Sequence, residues 1–444
     1  MGDFLYTICR QFSREHAFLI VLLGRRDAGR RRLLKAWAPL IDWSKFQQIA
    51  SPELFAYLGH VLTETGLLSR CPPSLQEQFR NRQRFTAAQW LRWRLELQHI
   101  VQVFRDHDID LILLKGAVLS TVAYPATCLR SMSDIDLLVR PADAERALQL
   151  IEAAGFRCPD RYQFIDPDAR PCAPANTEVS PPLQKIGTRA FIEVHTQLES
   201  AEPLYPVSEA ELWRGAEEFE LCGLPCKTLE KHEFLLHLIM HLSEHHLFAH
   251  GLRALLDVHL WIELHHGKWD WNWIAAQAAR RGYAQWVSLS LRMVHDMFAT
   301  PVPAAVFARL GTPVELGMMQ QLAHEQIFAQ GRTAGNAPLF LILVLGQPSI
   351  ASAARLVMRR VIPSRAAMPF DRVRSLSRPG FSGVHLAARR VFRDLRIHLP
   401  EYYRAWRAGR LRWSSLRRAA GLARRAGQLR DLMQGQAGSG PASG

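Results

Sequence analysis

Residues 113–139 read LLKGAVLSTVAYPATCLRSMSDIDLLV, and the order of apolar and polar residues in this stretch decides the fold. Its end, DIDLLV at 134–139, is a short apolar run that is typical of a buried strand, and IDLILL at 109–114 is a second such run. Between the two runs, Gly116 opens a segment that predicts a helix over 117–123. A strand, a short helix and a second strand therefore form the centre of an α/β unit.

The sequence after this centre predicts more elements of the same unit. A third strand is predicted over 189–198, where the two-residue repeat places Glu193 and His195 on one face. A helix is predicted over 141–154, because proline suits a helix start and Gly155 follows its end. A short hairpin is predicted over 219–227.

Helical periodicity dominates the rest of the chain. We therefore predict an α+β fold with a small mixed β-sheet core, flanking helices, and mainly helical N- and C-terminal regions. Six prolines and little periodicity indicate a long surface loop over 158–187. The predicted regions are a helical N-terminal region at 1–105, an α/β core at 106–228, a helical domain at 229–361, and a basic helical end with a disordered Gly/Ser tail at 362–444.

The positive charge is concentrated at the C-terminal end. The net charge of the 444 residues is +14, but residues 351–444 contain 20 Arg, no Lys and 4 acids, which gives 20 − 4 = +16 and leaves 14 − 16 = −2 for the rest. Such a segment can contact a polyanion, such as nucleic acid or an acidic surface. The alternative is a solubilising, arginine-rich helical end, which the absence of an aromatic stacking motif favours.

Cysteine use and hydropathy indicate the compartment. The 7 cysteines are scattered without a CxxC pair, which predicts reduced thiols and a cytoplasmic protein. The apolar run at 18–23 is too short for a signal sequence or a membrane span. No transmembrane segment is predicted.

The pair Asp134 and Asp136 carries the strongest chemical signal. The two acids are separated by one residue on a predicted strand, so both carboxylates project from the same face. Their mutual repulsion beside an apolar core is offset when they bind a divalent cation. A two-metal site needs a third carboxylate, and Glu193 on the third strand is the best candidate.

Four nearby residues have the chemistry to bind phosphate. Lys115 and Gly116 end one strand and open a helix, where glycine lets a phosphate approach backbone N–H groups. Arg130 lies four residues before Asp134, and its planar guanidinium suits a phosphate oxygen. His195 is either a ligand of a substrate phosphate or a buried histidine bonded to the backbone.

The order of these motifs resembles a known family. Lys115-Gly116, Arg130, the DIDLLV strand, an AGF at the end of the next helix and a later EVH are together similar to the uncharacterised bacterial nucleotidyltransferases of the polymerase-beta-like superfamily. The resemblance covers about residues 85–265 and includes the histidine-rich stretch HLIMHLSEHHLFAHGLRALLDVHLWI.

The resemblance implies a function and a ligand set. It implies Mg²⁺ or Mn²⁺ bound by Asp134 and Asp136, with Glu193 as the third metal ligand or the base, and a nucleoside triphosphate such as ATP as donor. The acceptor, a small molecule, a peptide or a protein, is not identified by the sequence. Ser133 matches the S-D-x-D form of the superfamily and is counted with the nucleotide-binding residues. Ala117 departs from it, because better-known members have serine or glycine after the first glycine.

Two other functions remain open from the sequence. A catalytically inactive nucleotide-binding or scaffold protein would retain the fold without turnover. His241, Glu244 and His245 match the H-x-x-E-H motif of zinc-dependent hydrolases, although a packed histidine face on a helix explains them more simply. Arg253 and Asp257, four residues apart, predict a local ion pair on the same helical region.

Overall fold

The fold is taken from a computed structural model. The part of the chain that it describes comprises residues 12–158, 180, 182–185, 191–198, 208–221, 223–312 and 316–328, with scattered helical positions between 421 and 433. The chain divides into two compact units, Met1–Leu316 and Gly317–Gly444.

The chain begins with helices that precede the sheet. They are α1 (Arg14–Leu23), α2 (Ala28–Trp37), α3 (Trp43–Ile49), α4 (Phe55–Glu64) and α5 (Pro73–Asp106). Every residue from Ala17 to Leu23 of α1 is buried, because the apolar run HAFLIVLL lets other helices cover the whole of this helix. The Ser13 side chain caps α1 by accepting the backbone N–H of His16.

Seven strands form one mixed sheet in the first unit. They are β1 (Leu111–Leu113), β2 (Ile135–Val139), β3 (Phe156–Arg157), β4 (Leu183–Lys185), β5 (Phe191–His195), β6 (Glu217–Leu221) and β7 (Leu224–Thr228). The strand order is β3-β4-β5-β2-β1-β7-β6. All residues of β1 and β2 are buried, as expected for the apolar runs that form the middle of a sheet.

Three helices connect these strands. They are α6 (Lys115–Val122), α7 (Ala144–Ala153) and α8 (Glu209–Gly215). Helix α6 packs against β2, and the long α5 contacts α7 and β7. The sheet is therefore held between α5, which comes from the helical N-terminal region, and the helices that connect its own strands.

The chain after the sheet is again helical. It forms α9 (Lys231–Met240), a π-helix at His241–His245, α10 (Gly251–Leu264), α11 (Trp271–Arg280), α12 (Ala284–Phe298), α13 (Ala304–Leu310) and α14 (Leu316–Phe328). Helix α12 contacts α1, α9 and α10, so the helices before and after the sheet share one core. Among the helices described, none has the length and apolar character needed to cross a membrane.

The α+β fold with a mixed sheet and flanking helices is confirmed. The loop predicted over 158–187 is wrong in part, because β4 pairs there with β3 and β5. Hydrogen bonding to two neighbouring strands stabilises this three-residue strand, which is too short to show a repeat in the sequence. Residues 159–179 of the predicted loop lie outside the described residues.

The four regions predicted from the sequence stay a prediction. The first compact unit continues across the boundaries predicted at 105 and 228, and the second begins at Gly317, inside the region predicted as 229–361. Most of the basic helical end and the whole Gly/Ser tail lie outside the described residues. Within the second unit, Glu325 of α14 forms an ion pair with Arg425.

Candidate active site

The site begins where β1 turns into α6. Lys115 follows β1 by two residues and has a φ of 43°, a left-handed conformation that is unfavourable for a residue with a side chain. Its ammonium Nζ lies 2.7 Å from Oδ1 of Asp136 on β2. The strained turn therefore brings a lysine to an aspartate that lies 21 positions later in the chain.

Two acids and a histidine meet on β2 and β5. The strands are parallel, and Asp136 lies directly opposite Glu193 in the register. Nε2 of His195 lies 2.9 Å from Oδ1 of Asp136 and 3.9 Å from Oε2 of Glu193. One ligand atom from each of the three residues lies within 4.8 Å of the other two, so the group has the size of a metal site.

Asp134 lies outside that group of three. It precedes the first residue of β2, is partly exposed, and accepts a hydrogen bond of 3.1 Å from Oγ of the exposed Ser133. The neighbouring Asp136 still acts on it, because burial and the charge of Asp136 raise the pKa of Asp134. The structure thus pairs Asp136 with Glu193 and places Asp134 at the edge of the same carboxylate cluster.

The acids of this cluster differ in their electrostatic state. Burial alone would raise the pKa of Asp136, but the Lys115 ammonium and the hydrogen bond with His195 hold it well below its ordinary value. Burial raises the pKa of Glu193 to about 7, and the charges of Asp136 and Asp134 add to this effect. Asp136 is therefore ionised and compensated, whereas the charge of Lys115 offsets only part of the effect of burial and of the two aspartates on Glu193.

Carboxylate oxygens whose negative charges are only partly compensated fit a hard divalent cation such as Mg²⁺. The donors that would hold it are Asp136 and Glu193, with Asp134 at the edge. The histidine in the same group is engaged with Asp136 and Glu193. His195 is therefore close enough to orient the carboxylates of Asp136 and Glu193.

The sequence predicts a phosphate contact for Arg130, but the structure gives this residue another partner. Its Nε and Nη2 donate to the two carboxylate oxygens of Asp257 on α10, at 3.0 and 2.8 Å. The Tyr124 hydroxyl donates to the same carboxylate at 2.7 Å, and all three residues are buried. The local Arg253–Asp257 pair predicted from the sequence is wrong, since Arg253 instead pairs with Glu53 at 2.8 Å.

This ion pair explains part of the glycine turn. A Cβ added to Gly116 would lie 2.4 Å from Nη1 of Arg130 and 2.9 Å from Sδ of Met132. A side chain at Gly116 would therefore displace the guanidinium. Glycine is needed at this position to let Arg130 reach Asp257, whether or not a phosphate approaches the same turn.

A sequence model of one protein family, described as uncharacterised nucleotidyltransferase, matches residues 39–299, which is more than half of the chain. The chain belongs to this family. Its general role as a nucleotidyltransferase, and hence as a transferase, follows from that membership. No curated protein and no solved structure matches the chain.

The matched residues of this nucleotidyltransferase include β1 to β7 and α6. They also include Lys115, Asp136, Glu193 and the Arg130–Asp257 pair, so the site and its support both lie within the family region. Because Asp257 is on α10, the helical part after the sheet contributes to the same site region.

His237 on α9 belongs to the histidine-rich stretch, which the sequence interpretation treated as a packed helical face and did not assign to the site. It is buried, and neither ring nitrogen has a hydrogen-bond partner within the described part of the chain. Burial holds its pKa well below the ordinary value, and the nearby Lys115 and His195 lower it further. The apolar stripe of α9 hides this histidine among core positions, so only its neighbours in space connect it with the site.

The residues of the H-x-x-E-H motif do not have the helical geometry that the sequence pattern predicts. Residues 241–245 are a π-helix, so the spacing that places positions i and i+4 on one face of an α-helix does not apply. Nε2 of His245 pairs with Glu244 at 3.3 Å, and the rings of His241 and His245 are 6.2 Å apart. Among the described residues, the metal-sized histidine group in this region consists of His241, His246 and His250 and does not include Glu244 or His245.

Proposed function

We propose that this nucleotidyltransferase moves a nucleoside monophosphate from a nucleoside triphosphate to an acceptor oxygen, with a divalent cation held by Asp136, Glu193 and Asp134. The observation that carries the proposal is the register of β2 and β5, which sets Asp136 opposite Glu193 beside the Lys115 ammonium. Mg²⁺ or Mn²⁺ at this place would supply positive charge to the phosphates during transfer.

In the proposed reaction, an acceptor oxygen attacks the α-phosphorus in line with the bond to pyrophosphate. The new bond joins the acceptor oxygen to phosphorus, and the phosphorus–oxygen bond to pyrophosphate breaks. The proton of the acceptor hydroxyl passes to a base, for which Glu193 is the candidate because its carboxylate lies beside Asp136 in the register of β2 and β5. The leaving pyrophosphate carries away the negative charge of the broken bond.

The residues at the turn are proposed to bind the triphosphate. Helix α6 begins at Lys115, and its first backbone N–H groups have no partner within the helix, which makes this end suitable for a phosphate. Lys115 supplies an ammonium there, and Ser133 and His195 supply further donors at the edge and the floor of the site. Arg130 acts as a positioning residue through Asp257 rather than as a phosphate ligand.

The acceptor is a small molecule, a peptide or a protein, and the donor base is equally open. A direct test incubates the full-length protein with each α-labelled nucleoside triphosphate, Mg²⁺ or Mn²⁺, and cell extract, and follows which molecule becomes labelled. Asp136→Asn is expected to lower labelling by orders of magnitude, because it removes a ligand charge. Asp106→Asn, at an exposed position on α5, is the matched control and should retain full labelling.

The proposal fails if Asp136→Asn labels the acceptor as fast as the wild type. Tight binding of nucleotide without any labelled product would identify the alternative, a nucleotide-binding protein that retains the fold without turnover. Glu193→Gln should lower turnover while nucleotide binding is largely preserved, since Glu193 serves the attacking side.

A contact between the arginine-rich C-terminal end and a polyanion is a separate proposal. It is supported by the charge of residues 351–444, with 20 Arg against 4 acids. Affinity for a polyanion should fall steeply with salt as counterions are released. If the affinity for the polyanion does not change with salt, or if binding is unchanged after truncation at Arg378, the alternative would be that the arginine-rich end only makes the protein more soluble.

A further inference from the structure

Three imidazoles meet between α9 and α10, outside the carboxylate site. One ring nitrogen of each of His241, His246 and His250 lies within 4.8 Å of one nitrogen of the other two. The ring centroids are 4.4 Å apart for His241 and His246, 5.4 Å for His241 and His250, and 3.9 Å for His246 and His250. The three rings therefore converge from a π-helix and from the turn that follows it.

The backbone that brings these rings together is strained. Leu247 and Phe248 have φ values of 47° and 62°, so two consecutive residues with side chains adopt the left-handed conformation. The turn is held by the backbone N–H of Leu247 on the carbonyl of Ser243, at 2.7 Å, and that of Phe248 on Leu242, at 2.8 Å. Strain of this kind, next to a π-helix, is typical of functional sites.

Core packing explains only part of this geometry. Phe248 is completely buried, so burial of its ring favours the turn. The burial of Phe248 does not require histidine at positions 241, 246 and 250. Moreover, Nε2 of His250 is buried without a hydrogen-bond partner in the part of the chain that the structure describes. A buried ring nitrogen without a partner is costly unless something binds it.

The donor set of this cluster favours a metal cation over an anion. Each of the three histidines offers one ring nitrogen to the same small volume. Imidazole nitrogens have lone pairs that bind transition metals such as Zn²⁺.

We propose that His241, His246 and His250 bind one Zn²⁺ ion. Three imidazole nitrogens without a carboxylate suit Zn²⁺, whereas Mg²⁺ prefers the oxygen donors of Asp136 and Glu193. Three protein ligands leave one coordination position open, as in zinc sites that bind a further molecule.

The bound ion would fix the π-helix, the strained turn and the start of α10 relative to one another. Helix α10 carries Asp257, the partner of Arg130, and Arg253, the partner of Glu53. The proposed zinc site therefore stabilises the helix that supports the glycine turn of the carboxylate site. It is a site distinct from the H-x-x-E-H set, since its second and third ligands are His246 and His250.

The test uses full-length, untagged protein that has been stripped of metal with a chelator. Zn²⁺ affinity is measured by competition with a chromogenic indicator, and Co²⁺ is substituted to record its visible spectrum. Wild type is expected to bind one Zn²⁺ and to show the intense visible bands of low-coordinate Co²⁺. His246→Gln and His250→Gln should each weaken Zn²⁺ binding by about 100-fold or more and abolish those bands.

His266→Gln, at an exposed position after α10, is the matched control and should bind Zn²⁺ as the wild type does. Glu193→Gln should also retain Zn²⁺, which separates this site from the carboxylate cluster. Thermal unfolding with and without Zn²⁺ gives a second measurement: Zn²⁺ should raise the Tm of the wild type but not that of His246→Gln. Equal Zn²⁺ affinity in wild type and His246→Gln, or loss of Zn²⁺ binding in Glu193→Gln, would overturn the proposal.

Discussion

Replacing Glu193 with Gln is expected to stabilise the metal-free protein at pH 8 and to abolish most of its stabilisation by Mg²⁺. Burial and the charges of Asp136 and Asp134 raise the pKa of Glu193 from an ordinary value of 4.5 to about 7. One pKa unit corresponds to about 1.4 kcal/mol, so ionised Glu193 lowers the free energy of unfolding by up to about 3 kcal/mol. Its side chain is 25% exposed, and solvent screening brings the expected gain for Glu193→Gln to about 2 kcal/mol.

The pH dependence has a definite sign. Between about pH 4.5 and 7 the folded protein retains a proton on Glu193 that the unfolded chain has released. The stability that Glu193 contributes is thus present below pH 4.5 and is lost as the pH rises to 7. Glu193→Gln removes this loss, so its advantage over the wild type should be near zero at pH 4.5 and greatest above pH 7.

The assay is urea unfolding in EDTA at several pH values, repeated at saturating Mg²⁺. Mg²⁺ should stabilise the wild type according to its affinity for the folded state, and should stabilise Glu193→Gln much less. Asp136→Asn is the informative contrast, because Lys115 and His195 already compensate that charge and its removal should not stabilise. A Glu193→Gln protein that is less stable than wild type in EDTA at pH 8, or equally stabilised by Mg²⁺, would refute the reasoning.

Three further predictions concern the stability and reactivity of the chain. Asp257→Asn leaves the Arg130 guanidinium buried without a counter-charge and should lower the free energy of unfolding by about 3–5 kcal/mol in urea titrations, whereas Glu53→Gln at the part-exposed pair should change it by less than about 1 kcal/mol. Burial lowers the pKa of His259 to about 3, so below pH 6.5 the unfolded chain binds a proton that the folded protein does not bind. This difference should lower the free energy of unfolding by about 1.4 kcal/mol at pH 5.5. His259→Gln should therefore reduce the fall of stability between pH 6.5 and 5 in urea titrations, and an unchanged fall would contradict the prediction. Burial raises the pKa of the Cys71 thiol to about 12, so this thiol should not react with a thiol reagent at pH 8 in the native protein. Mass spectrometry should find Cys71 unmodified in the native protein and labelled in denaturant. Rapid labelling of the native protein would contradict the prediction.

The central strands and their acids were predictable because their signals are local. The runs IDLILL and DIDLLV are apolar over the length of a buried strand, and the structure places β1 and β2 within them. Glu193 was found because the sequence of its strand alternates between two faces, and β5 keeps this alternation from Phe191 to Val194 but not at the buried His195. The local sequence pattern is enough to predict a strand where the adjacent residues determine which side chains are buried.

The partners of the buried charges were not predictable from spacing. Arg130 meets Asp257 across 127 positions, and Arg253 meets Glu53 across 200, whereas the four-residue rule predicted an Arg253–Asp257 pair. The rule describes an isolated helix. It fails here because the guanidinium of Arg130 is buried and needs the carboxylate of Asp257 as a counter-charge, which leaves Arg253 to pair with another acid. The π-helix and the left-handed turn escaped detection for a related reason, since no glycine marks residues 247 and 248.

Lys115 connects the electrostatics of the site to its proposed chemistry. Its ammonium is held at Asp136 by a backbone conformation that is unfavourable at φ 43°, so the position is imposed by the fold and not by the side chain alone. If a cation binds the Asp136 carboxylate as proposed, Lys115 shares its partner and gains from another anion nearby. A triphosphate bound at the start of α6, as proposed, would supply that anion, so the cation and the nucleotide would each favour binding of the other. In the proposed reaction this exchange gives a physical reason for Lys115 to precede the glycine of a turn in which Ala117 lacks the serine hydroxyl of better-known nucleotidyltransferases.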